Sequence, residues 1–171
     1  MKLLEAMTTY FQGEKTEALV FILPIGLLSL VFGGWLVSEN QGGFARGVAI
    51  PFLLMGLVMT VVGGVVGYRT PTQVETLQVS VAAAPEPTIQ AERARMEKVD
   101  RAWPVYLVAW AAFGIAGLAL RFATRGDFTQ GLGIALVFFS GVGLLVDGFA
   151  ERRARPYTAA LEASASSTTH P

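Results

Sequence analysis

Two carboxylates stand four positions apart where the last apolar run ends, in the stretch VDGFAE: Asp147 and Glu151. On a helix that spacing stacks both on one face, and the pair could hold a cation at a membrane surface. The plainer reading is a charged helix end. Glu39 beside an earlier turn reads the same way, and His170 in the polar ending SASSTTHP has no neighbour to make it a base or ligand. Three hydroxyls, Ser29, Thr60 and Ser140, fall inside apolar runs, where each is expected to bond back to its own helix.

The remaining chemistry is defined by what the chain lacks. It has no cysteine, which excludes disulfides, thiolate metal sites and cysteine nucleophiles. A single histidine excludes bis-histidine haem ligation. Paired aspartates for intramembrane proteolysis are missing, as are the glycine-rich phosphate loops. Ion-coupled transport normally places an ionisable or densely polar group deep in the bundle, and the apolar runs carry none. The expectation is a non-enzymatic chain with no catalytic residue, no cofactor and no metal.

The elements that would position any site are apolar blocks. Hydrophobic residues make up 53% of the 171 positions and charged residues only 15%, with a mean hydropathy of +0.51. A soluble domain carries about a quarter charged residues. The blocks are residues 18–37, 48–67, 104–120 and 132–146. The first two match the roughly 20 residues that cross a hydrocarbon layer of about 30 Å; uncharged flanks extend the others. Strand-like alternation is absent. The fold class expected is all-α, a polytopic membrane protein with four transmembrane helices arranged as two tandem helical hairpins in a bundle.

Residues 1–37 resemble a signal peptide only loosely. Glu5, Glu14 and Glu17 precede the apolar block, and it ends in WLVSEN without a small-residue cleavage site. The segment is therefore expected to remain as the first span.

Basic residues assign an orientation. Ten Lys and Arg fall in the N-terminal segment, the central connection and the tail, against three in the two short turns. Basic segments stay inside, so both termini and the central connection are expected in the cytoplasm, at the inner membrane if the source is bacterial. Trp35, Tyr68, Trp103, Tyr106 and Trp110 are expected near the interfaces, with Trp110 the deepest.

The two turns resemble each other. QGGFARGVAI from Gln41 and RGDFTQGLGI from Arg125 align at an offset of 84, with ten identities over the 37 positions from Gly33 to Arg69. That register suggests an internal repeat, two parallel hairpins related by an axis along the membrane normal. Gly42, Gly43 and Gly126 suit tight turns, and Asp127 is a candidate N-cap for the fourth helix.

Small residues mark close helix contacts. Gly56, Thr60 and Gly64 recur at four-residue spacing, Gly63 pairs with Gly67, and Gly114, Gly117 and Ser140 offer smaller equivalents. These faces serve either internal packing or a partner subunit or second copy. Pro51 reads as a first-turn residue and Pro24 as a bend.

The divisions expected are an N-terminal segment 1–17 that can form an interfacial helix, a first hairpin 18–69, a connection 70–103, a second hairpin 104–150 and a mostly disordered tail 151–171. Within the connection, LQVSVAA suggests a weak strand. Residues 89–103 suggest an amphipathic helix with Ile89, Met96, Val99 and Trp103 on its apolar side, lying on the membrane or against a partner.

Together these features point to a small accessory or structural subunit of a membrane complex. The partners expected are the lipid bilayer and another membrane subunit or a second copy, with no nucleic acid. The alternatives are a transporter or channel for a neutral or apolar solute, or a lipid-binding protein.

Overall fold

The computed structural model describes residues 3–39 and 42–168; Lys2, Gln41 and His170 lie outside the described residues. Its elements are α1 (Leu3–Glu17), a five-residue π segment (Ala18–Ile22), α2 (Leu23–Ser38), α3 (Gly42–Ala83), α4 (Pro85–Ala123) and α5 (Asp127–Thr168). No strand occurs among the described residues. Four helices have the length and hydropathy of membrane spans: Leu3–Ser38, Gly42–Ala83, Pro85–Ala123 and Asp127–Ser166.

These helices are much longer than their apolar blocks. At 1.5 Å per residue the 42 residues of α3 extend about 63 Å, roughly twice the hydrocarbon thickness. Half of each long helix therefore stands outside the span as a continuation of it. The stretch LQVSVAA belongs to α3, so the expected strand is absent: the run between Pro71 and Pro85 has no Gly, Asn, Asp or further Pro to interrupt the helix.

What ends α3 is Pro85. A proline restricts the residue before it to extended values, and Ala84 sits at φ −146°, ψ 79°. Pro85 then opens α4, where its missing N–H costs nothing. The hydroxyl of Thr88 caps the corner, donating to the carbonyl of Ala84 at 2.7 Å.

Pro24 acts differently from a simple bend. It lies in the first turn of α2, directly after the π segment. The N–H of Leu23 bonds the carbonyl of Ala18, a π-type step, so the register shift takes up the hydrogen bond that proline cannot make. Pro51 lies nine residues inside α3 rather than in its first turn, because the helix begins at Gly42.

At the other end, Gly42 adopts φ 84°, the left-handed geometry its lack of a side chain permits. Gly126 does not share that geometry. Asp127 is not an N-cap but the first residue of α5, and the carbonyl of Gly126 accepts the opening bond from Gln130.

In the bundle α2 packs on α3, α4 packs on α5, and α3 runs beside α5, while α1 reaches both α3 and α5. The two short turns meet: a Cβ on Gly43 would lie 3.4 Å from the Asp127 side chain. The N-terminal helix, the corner at Ala84 and the end of α5 gather at the opposite end, the head of the molecule. The tail expected to be disordered is part of this head, helical to Thr168.

Candidate functional site: the helical head and the Trp110–Asp147 pair

The head is built from apolar residues at helical spacing. Met7, Tyr10 and Phe11 of α1 meet Met96 of α4 and Ala154, Tyr157 and Leu161 of α5 in one buried cluster, with Ile89, Trp103, Val74 and Leu77 against it. Tyr10 stacks on Tyr157 at a centroid separation of 5.0 Å. Each large side chain buried this way contributes about 1.5–3 kcal/mol.

The apolar side expected of the helix at 89–103 packs into this head. That stretch belongs to the same helix as the third span, with Pro104 at the junction, and Ile89, Met96 and Trp103 pack with residues of α1 and α5. Val99 is partly buried without joining that cluster.

Polar groups seal the cluster. Glu92 is buried and accepts two hydrogen bonds from Arg95, at 2.9 and 2.6 Å. It also accepts one from the hydroxyl of Tyr157 at 2.9 Å. Arg95 lies over the Phe11 ring at 5.6 Å, a cation–π distance. Burial opposes the Arg95 charge, but the hydrogen bond and charge of Glu92 outweigh it and hold the guanidinium protonated still more firmly. Burial, then the Glu92 charge, pushes the Tyr157 hydroxyl well above the usual phenol range. Burial also raises Tyr10, with the Glu14 charge adding to it.

Two further ion pairs tie the start of the chain down. Arg153 reaches Glu17 at 2.6 Å with both side chains largely buried, and Arg69 reaches Glu14 at 3.4 Å. Sequence patterning pointed to none of the contacts that Glu17, Glu92, Arg95, Arg153 and Tyr157 make. The available signal was the 3–4 spacing of Ala154, Tyr157 and Leu161 across a tail that composition marks as disordered.

A cleft of about 960 Å³ opens beside this cluster, between the outer stretches of α3 and α4. Tyr68, Arg69, Gln73, Thr76, Thr88 and Arg95 are among its lining. Tyr68 stands 88% exposed at its rim.

Within the spans the glycines make intramolecular contacts. A Cβ on Gly56 would lie 3.0 Å from the carbonyl of Gly26, one on Gly63 2.8 Å from the N of Leu23, and one on Gly67 2.4 Å from the Leu19 side chain. Gly114 faces Ser140, and Gly117 faces the carbonyl of Gly133 at 2.7 Å. Gly64 is different: nothing lies within 4 Å of its missing Cβ. Thr60 fills the space under Gly26, and its buried hydroxyl lacks a partner within the protein. Ser140 bonds across to α4, donating to the carbonyl of Trp110 at 2.7 Å, rather than back to its own helix.

Contacts at an offset of 84 correspond. Gly33 meets Ala49 and Leu53, while Gly117 meets Gly133 and Val137. Gly47 meets the carbonyl of Phe128, and Gly131 meets the carbonyl of Phe44. Gly33, Ala49 and Leu53 become Gly117, Gly133 and Val137 on adding 84, whereas the other two contacts are reciprocal, each glycine meeting the phenylalanine of the opposite half.

Asp147 is not at a helix end, since α5 continues for another twenty-one residues to Thr168. Nor does it pair with Glu151, which engages Arg155 at 2.8 Å. Instead Oδ2 of Asp147 accepts the indole hydrogen of Trp110 at 2.6 Å. Gly143 makes room for this: a Cβ there would fall 2.2 Å from the indole. Trp35 and Tyr106 are about half exposed, while Trp103 and Trp110 are partly buried.

Comparison with known protein families, curated proteins and solved structures gave no match.

Proposed function

We propose that this chain is a non-enzymatic accessory or structural subunit of a membrane complex, built to hold a rigid helical platform at the inner membrane face. The observation that carries it is the continuity of α3, α4 and α5 from their apolar blocks into the sealed head. Each of these helices stays helical through a proline near the junction, Pro71, Pro104 and Pro156, where a ladder hydrogen bond is lost, so the packing of the head is what holds the continuation in place. The cluster of Phe11, Met96, Tyr157 and the Glu92–Arg95 pair fixes those helices to α1. The cleft between α3 and α4 then offers a partner's chain a preformed surface.

Head, termini and central corner lie on the cytoplasmic side in this reading, supported by the ten-to-three distribution of basic residues. The equivalent contacts at an offset of 84 support two copies of one hairpin, joined through α3 and α5.

Purification in mild detergent at native expression tests the reading. The expected result is a second chain at fixed stoichiometry, released when Gln73→Arg and Thr76→Arg crowd the cleft. A homogeneous lone monomer under those conditions overturns it. The natural absence of cysteine makes orientation directly readable. Cysteine at Ser80 should resist an impermeant maleimide in intact cells, and cysteine at Asp127 should react.

A further inference from the structure

The Trp110–Asp147 hydrogen bond opens onto a cavity that neither the head nor the helix packing uses. It holds about 180 Å³. Its walls include Ile22, Met55, Met59, Trp110, Phe139 and Val142, so every helical span contributes to it. The polar groups on it are those of Trp110 and Asp147.

The cavity is open on one side, where Val58 and Val62 are exposed, and its volume is of the order that takes a benzene ring, as an enclosed apolar void of about 150 Å³ does. The carboxylate adds a second requirement. An ionised carboxylate in apolar surroundings needs a proton or a counter-charge, and Asp147 belongs to no ion pair among the described residues. Of the basic residues that follow on its own helix, Arg152 is exposed, while Arg153 is engaged with Glu17 and Arg155 with Glu151. Trp110 occupies Oδ2, which leaves Oδ1 for a ligand. An indole beside a carboxylate also attracts cations through its ring.

We propose that this cavity is a binding site for a small lipophilic ammonium, an amine-bearing aryl or branched alkyl group of about benzene size. The apolar part enters between Met55, Met59 and Phe139, and the ammonium meets Asp147 and the Trp110 ring. The π segment that ends at Ile22 sets the first helix's contribution to the wall. This goes beyond an accessory role, since the site does not involve the head.

Benzylammonium is the probe, with benzyl alcohol as its uncharged counterpart. The full chain is labelled with 5-fluorotryptophan, and the Trp110 resonance is assigned with Trp110→Phe. The expected result is a saturable shift of that resonance on titration in bilayer nanodiscs. Asp147→Asn should weaken it by at least about ten-fold, while benzyl alcohol binds both proteins alike and weakly. Val58→Phe provides a second variant that fills the mouth of the cavity without touching the hydrogen bond, and it should abolish saturation. No saturable shift in the native protein overturns the proposal, as does equal benzylammonium affinity in Asp147→Asn or in Val58→Phe. If Asp147→Asn fails to fold, Val58→Phe and the alcohol comparison decide between the same outcomes.

Discussion

The hydroxyl of Tyr157 and the carboxylate of Glu92, 65 residues apart in the chain, meet at 2.9 Å inside the head. The bond joins the end of α5 to α4 where both have left the apolar span. Tyr157→Phe keeps the ring and its stacking on Tyr10 but leaves Glu92 with Arg95 alone. A hydrogen bond to a charged group is worth about 1.5–3 kcal/mol, and the variant should lose that much in an SDS titration followed by circular dichroism.

The same hydroxyl makes stability depend on alkali. Burial and the Glu92 charge raise Tyr157 above the ordinary phenol value of 10.0. An unfolded chain ionises there near 10.0, whereas the folded chain keeps its proton. The contribution is thus complete below about pH 10 and is lost progressively as pH rises beyond it. Between about pH 9 and 11 the native protein should destabilise more steeply than Tyr157→Phe. Identical slopes would show that the hydroxyl is not held neutral by folding.

Arg153 and Glu17 join the first helix to the last at 2.6 Å, with side-chain exposures of 18% and 10%. Removing one partner strands the other charge, at a cost of about 3–5 kcal/mol. Glu17→Ala and Arg153→Ala should each be strongly destabilising, and the double variant should fall well short of their sum. Additive losses would mean that the two residues act separately.

The spans were legible in the sequence because apolar blocks of membrane length have few other uses. The head was not. Residues 70–83 read as a connection with a weak strand because prolines flank the stretch and LQVSVAA alternates, yet it simply continues a span already nucleated. Propagation adds a hydrogen bond for each residue fixed, without a new nucleus. The tail failed for a related reason: its small polar composition hid Tyr157 and Leu161, which bury only because α1 lies opposite. Asp147 was legible as a residue but not as a partner of Trp110, since 37 positions separate them.

Gly143 decides whether that partnership forms. Its missing Cβ would lie 2.2–2.6 Å from indole atoms of Trp110, and a fused ring cannot move aside as a flexible chain end can. Gly143→Ala should displace the indole and break the bond to Asp147. The expected readout is a shift of the Trp110 resonance matching the loss of hydrogen bonding in Asp147→Ala. An unchanged resonance would place the indole elsewhere.

Gly47 and Gly131 hold the two halves together through reciprocal contacts. A Cβ on Gly47 would meet the carbonyl of Phe128 at 2.0 Å, and one on Gly131 that of Phe44 at 2.2 Å. Backbone stands opposite in both cases, so neither helix can yield by rotating a side chain. Gly47→Val and Gly131→Val should each force α3 and α5 apart, at a cost at or above the roughly 1–3 kcal/mol typical of overpacking. Their equivalence implies similar losses at the two positions. Gly64→Leu is the control, because its missing Cβ faces open space, and its stability in detergent should be close to native. If Gly64→Leu were as damaging as Gly131→Val, small residues would matter here for helix propensity or for a second chain. If only the pair at 47 and 131 is damaging, the contact between α3 and α5 is the seam on which the fold depends.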